Sequence, residues 1–404
     1  MEEWKTYKLG DLATIRGGKR LPKGVALTPV ANSHPYIRIR DLGHSRVLDI
    51  NPIFEYVDDE TQKSISRYIV NTDDVILSIV GTIGLTGIIG KSLNGANLTE
   101  NCVKIVNLNG LESRFLYYFL SSPIGQAEIE RGIVGAVQPK LPIKNIQDIS
   151  IPVPSIEVQK KIADILSSFD QKIELNNRIN HNLEEQAQAL FKSWFIDYDP
   201  FKDGDFIDSE LGKIPTGWRV RSLGDVTEEM RSKVGFRQDV KVLSPITTGQ
   251  LLLSEEYFTK QVFSESISKY LIVKPCDFAY NPARVNIGSI GKNEYGFDGC
   301  VSPVYVVFRC ESGYDLFFDL YRRTDSFKNE VVSRASGGVR QTLGYKDFSL
   351  IKLVYPPKVV VVMFNEIYGH LLKEISHCSE ENNFLTEQRD ILLPKLMSGE
   401  VSIY

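Results

Sequence analysis

Apolar side chains recur at alternating steps of four and three residues in the middle of the chain. This heptad spacing is typical of a helix that buries one stripe against another helix. The stripe consists of Ile162, Leu166, Phe169, Ile173, Asn176, Asn180, Leu183, Ala187, Leu190 and Trp194. The run follows Pro154 and opens with Ser-Ile-Glu, a typical helix start. It predicts a helix over 156–194, roughly 58 Å long at about 1.5 Å per residue.

A second stripe of this kind lies near the end of the chain, at an offset of 206 positions. It consists of Tyr368, Leu372, Ile375, Ser379, Asn382, Thr386, Arg389, Leu393 and Leu396. Both stripes turn polar at mid-length. Antiparallel packing would bring Asn176 and Asn180 towards Asn382, where paired amides would fix the register of the coiled coil. The alternative is that both middles are loose or exposed to water. Pro394 is expected to kink or end the second helix.

Outside these helices the pattern changes to short β-type runs bounded by Gly, Asn, Asp and Pro. The runs cover 36–40, 74–80, 102–106 and 304–308. One short amphipathic helix is predicted near 111–131 and another near 313–335. The predicted fold class is therefore mixed α/β (α+β), with two similar globular domains separated by two long antiparallel coiled-coil helices.

The chain also repeats itself. Residues 4–11 read W-K-T-Y-K-L-G-D and residues 218–225 read W-R-V-R-S-L-G-D. Residues 67–74 match 270–277 at an offset of 203. This duplication predicts a pseudo-two-fold, nearly circular organisation, in which the C-terminal tail returns to Trp4. The expected segments are a domain over 1–154, a spacer helix over 155–197, a linker over 198–217, a second domain over 218–357, and a second spacer helix with the tail over 358–404.

Composition changes this picture little. The 404 residues carry a net charge of −4, and 42% of them are hydrophobic, as in an ordinary globular protein. The spacer blocks 151–200 and 358–404 each carry a net charge of −3, whereas block 215–357 carries +3. No apolar run approaches the roughly 18 residues of a membrane span, and the start M-E-E-W-K has no secretory h-region. Five cysteines without C-x-x-C spacing indicate reduced thiols in a cytoplasm and no metal site.

Catalytic motifs are absent from the sequence. It contains no P-loop, no G-x-S-x-G, no H-E-x-x-H and no kinase signature. Residues 354–358, V-Y-P-P-K, are slightly similar to an amino-methyltransferase motif, but they lack its polar first residue and its final aromatic residue, so we interpret them as the start of a helix. Residues 208–213 hold acids and a lysine, as nuclease sites do, but lie in the linker.

Polar, glycine-rich loops recur at matching places in the two copies. They cover 78–84 and 135–140 in the first copy, and 280–291 and 336–342 in the second. Glycine lets a backbone approach a ligand closely, while Arg, Asn, Gln and Lys side chains can read base edges and phosphates. The alternative interpretation is that these loops are plain hairpin turns.

Several longer motifs resemble one known family, the specificity (S) subunit of type I restriction–modification enzymes, over nearly the full chain. They are the Trp…Leu-Gly-Asp pair already quoted, I-P-V-P-S-I-E-V-Q at 151–159, A-L-F-K-S-W-F-I-D-Y-D-P-F at 189–201, G-K-I-P-T-G-W at 212–218, Y-N-P-A-R-V-N at 280–286 and R-D-I-L-L-P-K-L-M-S-G-E at 389–400. None of these motifs is specific alone, but together they are.

The resemblance implies a non-catalytic DNA-recognition subunit of an adenine methyltransferase and endonuclease complex. Each globular domain would be a target-recognition domain that reads one half of a bipartite, gapped site in double-stranded DNA. The paired helices would set the gap and bind two methyltransferase (M) subunits, and restriction (R) subunits would join the complex. No cofactor is expected in this chain, because S-adenosylmethionine, ATP and Mg would bind the partner subunits.

Within this resemblance, candidate DNA-binding residues come from the recurring loops. For the first copy they are Ser78, Thr82, Gln138 and Lys140, with Arg38 and Arg40 on phosphates. For the second copy they are Tyr280, Asn281, Arg284, Asn286, Arg340 and Gln341. Two alternatives stay open: a specificity subunit that serves one fused nuclease–methyltransferase chain, and a solitary DNA-binding scaffold.

The second copy departs from the family pattern. It lacks the Glu-x-Gln that opens the first helix, and residues 356–363 look like an insertion of about four residues before its helix. Its stripe is also more polar. We therefore expect the two methyltransferase contacts to be unequal.

Overall fold

The computed structural model describes residues 4–43, 45–258, 263–335 and 342–401. It divides the chain into two compact units, one formed by Met1–Ile179 with His377–Tyr404 and the other by Asn180–Ser376. Both long helices are shared between the units. No helix in the described ranges is long and apolar enough to cross a membrane.

Unit 1 is built on a five-stranded sheet in the order β2-β8-β5-β6-β4, with two smaller pairs, β1-β9 and β3-β7. Its strands are β1 (Lys5–Lys8), β2 (Thr14–Gly17), β3 (Tyr36–Ile37), β4 (Val47–Leu48), β5 (Val75–Ser78), β6 (Thr86–Ile89), β7 (Asn97–Leu98), β8 (Cys102–Val106) and β9 (Ser150–Val153). The pairs β4-β6 and β3-β7 are parallel, and the others are antiparallel. The run predicted over 36–40 is extended only at its start, because Asp41 accepts the Arg38 N–H and begins a turn.

Three of the short helices of unit 1 begin at a residue whose side chain caps them. They are α1 (Leu9–Leu12), α2 (Asp59–Ile65), α3 (Ser113–Ser121), α4 (Pro123–Gly132), α5 (Ile143–Gln147) and the first part of α6 (Ile156–Phe195), with 3-10 turns at Ile39–Asp41, Ser66–Tyr68 and Lys91–Leu93. The single helix predicted near 111–131 is two helices. Ser122 accepts the Gly125 N–H, and Pro123 follows it, so the chain restarts a helix there.

Unit 2 repeats the antiparallel arrangement in a four-stranded sheet, β13-β20-β17-β18, and adds a second sheet, β15-β14-β19-β16. Its strands are β10 (Phe206–Ser209), β11 (Gly212–Pro215), β12 (Arg219–Ser222), β13 (Thr227–Glu229), β14 (Lys241–Pro245), β15 (Leu251–Leu253), β16 (Leu271–Val273), β17 (Phe278–Tyr280), β18 (Ile290–Lys292), β19 (Gly299–Val301), β20 (Val306–Cys310) and β21 (Lys352–Tyr355). The predicted linker contains the β10-β11 hairpin, which is anchored where Tyr198 packs on Phe206 and Trp218.

The helices of unit 2 are short except for the two it shares. They are α7 (Leu223–Val226), α8 (Ser254–Tyr257), α9 (Asp315–Tyr321), α10 (Asp325–Arg334), α11 (Tyr345–Phe348) and the first part of α12 (Lys358–Met397), with 3-10 turns at Asp199–Phe201 and Val285–Ile287. Again two helices replace the single one predicted near 313–335. Thr324 caps the second of them by accepting the Phe327 N–H.

The Trp…Leu-Gly-Asp repeat forms the same local structure twice. In each copy a strand, β1 or β12, leads into a one-turn helix, α1 or α7. β1 pairs with β9 just before α6, and β12 pairs with β21 just before α12. Trp4 lies against the chain at Gly399, where a Cβ atom added to the glycine would come 3.2 Å from the indole. The repeat is therefore structural, and the tail returns to Trp4 as predicted.

The long helices are equal in length. Each covers 40 residues, and β9 and α6 align with β21 and α12 at an offset of 202. The offset of 206 used for the stripes was wrong, and so was the insertion expected at 356–363. A shift of four residues moves a helical position by little more than one turn, so both offsets give nearly the same stripe. Pro394 neither ends nor interrupts α12, which continues to Met397.

Each unit packs its own core against its helical segments. In unit 1, Leu393, Leu396 and Met397 of α12 join Ile162 and Leu166 of α6 in an aliphatic cluster with the sheet and α3. In unit 2 the contact is aromatic. Phe191 and Phe195 of α6 and Phe364 of α12 meet Phe317 and Trp218, with ring centroids 4.8–6.1 Å apart.

Candidate nucleic-acid interface

One end of the unit 1 sheet gathers four chain segments. Because β2, β8, β5 and β6 are antiparallel neighbours, the segments after β2 and β5 and before β8 and β6 leave the sheet at the same edge. Backbone hydrogen bonds tie these segments together, from Gly18 N–H to Cys102 (3.0 Å) and from Ile79 N–H to Asn101 (2.8 Å). We call this end the reading edge of unit 1.

The two polar loops of the first copy meet at this edge. Val80 bridges Lys140, and the Leu141 N–H donates to the Ile79 carbonyl at 2.9 Å. A second bridge, between Val134 and Lys140, closes the later loop into a small hairpin. The expected contact residues Thr82, Gln138 and Lys140 are all exposed there. The structure thus brings Thr82 onto one surface with two predicted residues that lie 56 or more positions later in the chain.

Ser78 does not belong to that surface. Its side chain is fully buried, its hydroxyl donates to the Thr82 carbonyl at 2.6 Å, and it accepts the Leu85 N–H at 2.9 Å. Both roles of the hydroxyl are used to close the turn between β5 and β6. Ser78 therefore shapes the loop, and we no longer expect it to touch DNA.

Arg38 and Arg40 are engaged with an acid. Both guanidinium groups pair with Glu55, and Arg40 Nη2 also donates to the Ile53 carbonyl at 3.1 Å. Both residues follow β3, which belongs to a separate two-stranded sheet. A phosphate would have to compete with Glu55 for these guanidinium groups. The structure therefore does not favour the phosphate contact that we expected of this pair.

Unit 2 has a reading edge of the same construction. The segments after β13 and β17 and before β20 and β18 leave its four-stranded sheet together. The Leu343 N–H donates to the Pro282 carbonyl at 3.0 Å, which reproduces the bond from Leu141 to Ile79 at equivalent positions. Arg340 and Gln341, which precede Leu343, lie outside the described residues.

The loop over 281–289 places its predicted residues differently. Arg284 is exposed, and Asn286 is half-buried in a 3-10 turn. Asn281 accepts the Ala283 N–H at 3.0 Å and so shapes the turn. Tyr280 is fully buried in β17 against Phe348, and burial raises the pKa of its hydroxyl. Tyr280 is therefore a core residue and not a DNA contact.

The sequence-based candidates omitted basic residues that both reading edges share. Lys19 and Arg20 follow β2, and Arg231 and Lys233 follow β13. All four are exposed, although Arg20 pairs with Glu100 at 2.7 Å and Arg231 with Glu229 at 2.8 Å. Their common position shortly after the Leu-Gly-Asp helix and the next strand was the signal that could have identified them.

The helical seam of unit 1 contains the predicted amide pair. Asn176 is fully buried, and its Nδ2 donates to Asn382 Oδ1 at 3.0 Å and to Glu381 Oε2 at 2.7 Å. Asn382 in turn donates to Asn177 Oδ1 at 2.8 Å. The alternative of a loose, water-exposed middle is wrong for Asn176. Asn180, half-buried, is the first residue of unit 2.

Four of the five cysteines are buried, and Cys276 is exposed. Burial raises the pKa of the Cys102 thiol to about 12 and that of Cys300 to about 11, which keeps both protonated and poorly nucleophilic. In the part of the chain that the structure describes, no group of three or more His, Cys, Asp or Glu side chains could hold a metal ion.

Comparison with known proteins finds chains of similar sequence. The family model for the type I restriction modification DNA specificity domain matches residues 1–185. The MjaIX type I restriction enzyme specificity subunit of Methanocaldococcus jannaschii is 25% identical over 413 aligned positions, covering 100% of this chain and 94% of that protein.

Over its whole length the chain is similar to a type I restriction enzyme specificity subunit. The HindI specificity subunit of Haemophilus influenzae is also 25% identical, over 65% of this chain and 71% of its own length. Among solved structures, the S subunit of the type I restriction–modification system of M. genitalium has the same fold, with a TM-score of 0.57 at 16% identity over 98% of this chain and 96% of that one.

Proposed function

We propose that this chain is a type I specificity subunit, that its reading edges bind double-stranded DNA, and that each edge reads one half of a bipartite, gapped target. The observation that carries the proposal is the repeated loop junction, Leu141 to Ile79 in unit 1 and Leu343 to Pro282 in unit 2. A duplicated framework that holds different side chains at equivalent places is what reading two different half-sites requires.

The side chains at the edges suit both kinds of DNA contact. Gln138 can pair with adenine, Arg284 can pair with guanine, and Lys140 can reach guanine or a phosphate. The basic residues after β2 and β13, together with Lys140, supply the charge that draws a protein to the phosphate backbone. Thr82 is small enough to let the backbone around Gly81 come close to a groove.

The test is methylation mapping of DNA modified by the complex purified from its host. We expect a target of two short parts separated by a fixed gap. In Arg284→Ala one base of one half should become degenerate, with about 1–3 kcal/mol of discrimination lost, while the other half stays unchanged. Arg221→Ala is the matched control, because Arg221 is exposed in the same unit on β12. A continuous target, or a change in both halves, would contradict the assignment of one half per edge.

We further propose that the long helices dock two methyltransferase subunits and set the gap. Exposed apolar side chains support this proposal. In unit 2, Val359, Val362, Met363 and Ile367 follow one face of α12 and are 43–65% exposed. At the equivalent positions 157, 160, 161 and 165, α6 carries Glu, Lys, Lys and Ile. This difference in surface chemistry supports the proposal that the two docking contacts are unequal.

Copurification tests this docking. We expect two methyltransferase subunits per chain, with restriction subunits joining them, and S-adenosylmethionine, ATP and Mg bound by these partners. Met363→Asp should release one methyltransferase. The charge reversal Glu366→Lys, three residues further along the same helix, should weaken that contact less. A single fused nuclease–methyltransferase partner would change the stoichiometry, and a stable lone chain would contradict the docking proposal.

A further inference from the structure

Phe236 stands at the tip of a loop in unit 2 with its whole ring in solvent. Among the large apolar side chains that the structure describes it is the most exposed, at 105% of its reference area. A single exposed apolar residue is ordinary on a mobile loop. This loop, however, is held firmly on both sides of the ring.

The bracing of the loop comes from both backbone and side chains. Val234 N–H donates to Tyr270 and Gly235 N–H to Ser268, both at 2.9 Å. On each side of the tip a valine, Val234 or Val240, is buried in one small core cluster. The loop therefore presents Phe236 from a fixed base.

An arginine next to the ring completes the brace. Both arms of the Arg237 guanidinium bind the Asp239 carboxylate, at 2.9 and 2.6 Å, and its Nη1 binds Asp298 at 2.8 Å. Hydrogen bonds from Arg237 lower the pKa of Asp239 to about 2. Asp239 therefore stays ionised at neutral pH, and this ion pair would be lost only as the pH falls below the usual carboxylate range towards that value.

The loop that carries the tip begins at the reading edge. The chain leaves β13 there, and Lys233 then bridges Leu271, the first residue of β16. Leu271 is opposite Val301 in the sheet, and only residues 302–305 separate Val301 from β20 at the same edge. The exposed charged neighbours of the tip include the basic Lys233 and Lys269 and the acidic Asp239, whose charge Arg237 balances.

We propose that Phe236 inserts its ring against the bases of the duplex held by unit 2, as a wedge at a base step. An aromatic ring on a braced loop between lysines matches what such a contact needs. The lysines bind the phosphates on either side. The ring stacks on a base, which stabilises the complex without depending on the base sequence. The inference rests on the proposed DNA-binding function and adds a residue that would deform DNA rather than read a base edge.

Duplex binding by the purified complex tests the wedge. In Phe236→Ala the affinity for target duplex should fall about 5- to 140-fold, which corresponds to the loss of one aromatic–base stack. Phe236→Trp should restore binding, and its added tryptophan fluorescence should be quenched on duplex, because indole stacked on bases loses its emission. The difference spectrum against the wild-type complex isolates this signal from the three native tryptophans.

Leu350→Ala is the matched control. Leu350 is 53% exposed in the same unit, next to β21 and away from the reading edge, and its loss should leave binding unchanged. Unchanged affinity in Phe236→Ala, with no quenching in Phe236→Trp, would overturn the wedge while the wild-type complex still selects its target. Loss of a copurifying subunit in Phe236→Ala would also overturn it, by making Phe236 a protein contact. The proposed function fails separately, if the wild-type complex shows no sequence preference at all.

Discussion

The two units attach similar domains to the same pair of helices by different chemistry. In unit 1 the centre of the attachment is Asp170 of α6, which accepts from Tyr118 at 2.5 Å, pairs with Arg389 of α12 at 2.8 Å and lies 3.8 Å from Arg46. One carboxylate thus joins the domain to both helices. Burial and the adjacent carboxylate raise the pKa of Tyr118, so its hydroxyl stays a donor.

In unit 2 a comparable ion cluster is internal to the domain. Asp319 of α9 binds Arg322 and Arg323, at 2.5 and 2.8 Å. Burial opposes ionisation of Asp319, but the two arginines and Lys292 outweigh it and hold its pKa below the usual range. The attachment to the helices is left to the aromatic cluster around Phe364. The comparison teaches that the duplication preserved the geometry of the joint while the interactions inside it diverged.

The largest loss of stability is expected when Phe364 is removed from the aromatic cluster that attaches unit 2 to its helices. Phe364 is fully buried and packs on Phe191, Trp194 and Phe195. Phe364→Ala should lower the free energy of unfolding by about 4 kcal/mol, because the cavity adds to the lost transfer energy. Urea denaturation measures this loss. Val359→Ala, on an exposed position of the same helix, should change stability by less than about 0.5 kcal/mol, and an equal loss in both variants would show that Phe364 is not special.

Removing the charge of Asp170, which attaches unit 1 to its helices, should lower the stability somewhat less than Phe364→Ala does. Asp170→Asn keeps the shape but leaves Arg46 without this carboxylate and Arg389 with only the exposed Asp390, at about 3 kcal/mol for a largely buried pair. Asp164→Asn, which removes a 64% exposed partner of Arg114, should cost under about 1 kcal/mol. Differential scanning calorimetry of both variants checks the contrast. Similar losses would mean that the Asp170 cluster contributes no more than a surface ion pair.

The side-chain hydrogen bonds near the starts of the two long helices should also contribute unequally to the stability of the two units. Gln159 is fully buried and bonds Glu112 N–H and the carbonyls of Gly110 and Pro154, at 2.9–3.0 Å. In unit 2, Asn365 makes one such bond, to Gly313, at 2.8 Å. Gln159→Leu should cost about 2–3 kcal/mol and Asn365→Leu about 1 kcal/mol. Denaturant titration of both variants decides, and the reverse ranking would refute this account of the missing Glu-x-Gln.

The smallest effect is expected at the amide pair. A double-mutant cycle of Asn176→Ala and Asn382→Ala should give a coupling energy of about 1 kcal/mol, because each side chain supplies a hydrogen-bond partner to the other. Asn176 donates to Asn382, whereas Asn177 accepts a hydrogen bond from it. A second cycle, of Asn177→Ala with Asn176→Ala, is therefore a useful comparison. A coupling energy near zero would remove the pair as a determinant of register.

The sequence predicted the architecture well because periodicity and duplication are properties of the whole chain. The long helices, the strand–turn repeat and the return of the tail to Trp4 all follow from such patterns. The offset between the helices could not be obtained in this way, because a shift of four residues keeps nearly the same face of a helix. The sequence also did not show which residues of the candidate site are buried. Ser78 and Tyr280 end their strands, and whether the last residue of a strand faces the core or the loop depends on pairing that only the fold supplies.

The division of unit 1 between the two ends of the chain has a consequence for synthesis on the ribosome. Unit 2 is continuous, so it can close as soon as Ser376 has emerged. The core of unit 1 takes in Leu393, Leu396 and Met397, which are made about 200 residues after Ile179. At the usual rate of about 5–20 residues per second, the domain made first waits on the order of 10 to 40 s for its last side chains. During that interval it would expose the apolar groove that α12 later fills, so the nascent chain should be a chaperone client in its first half.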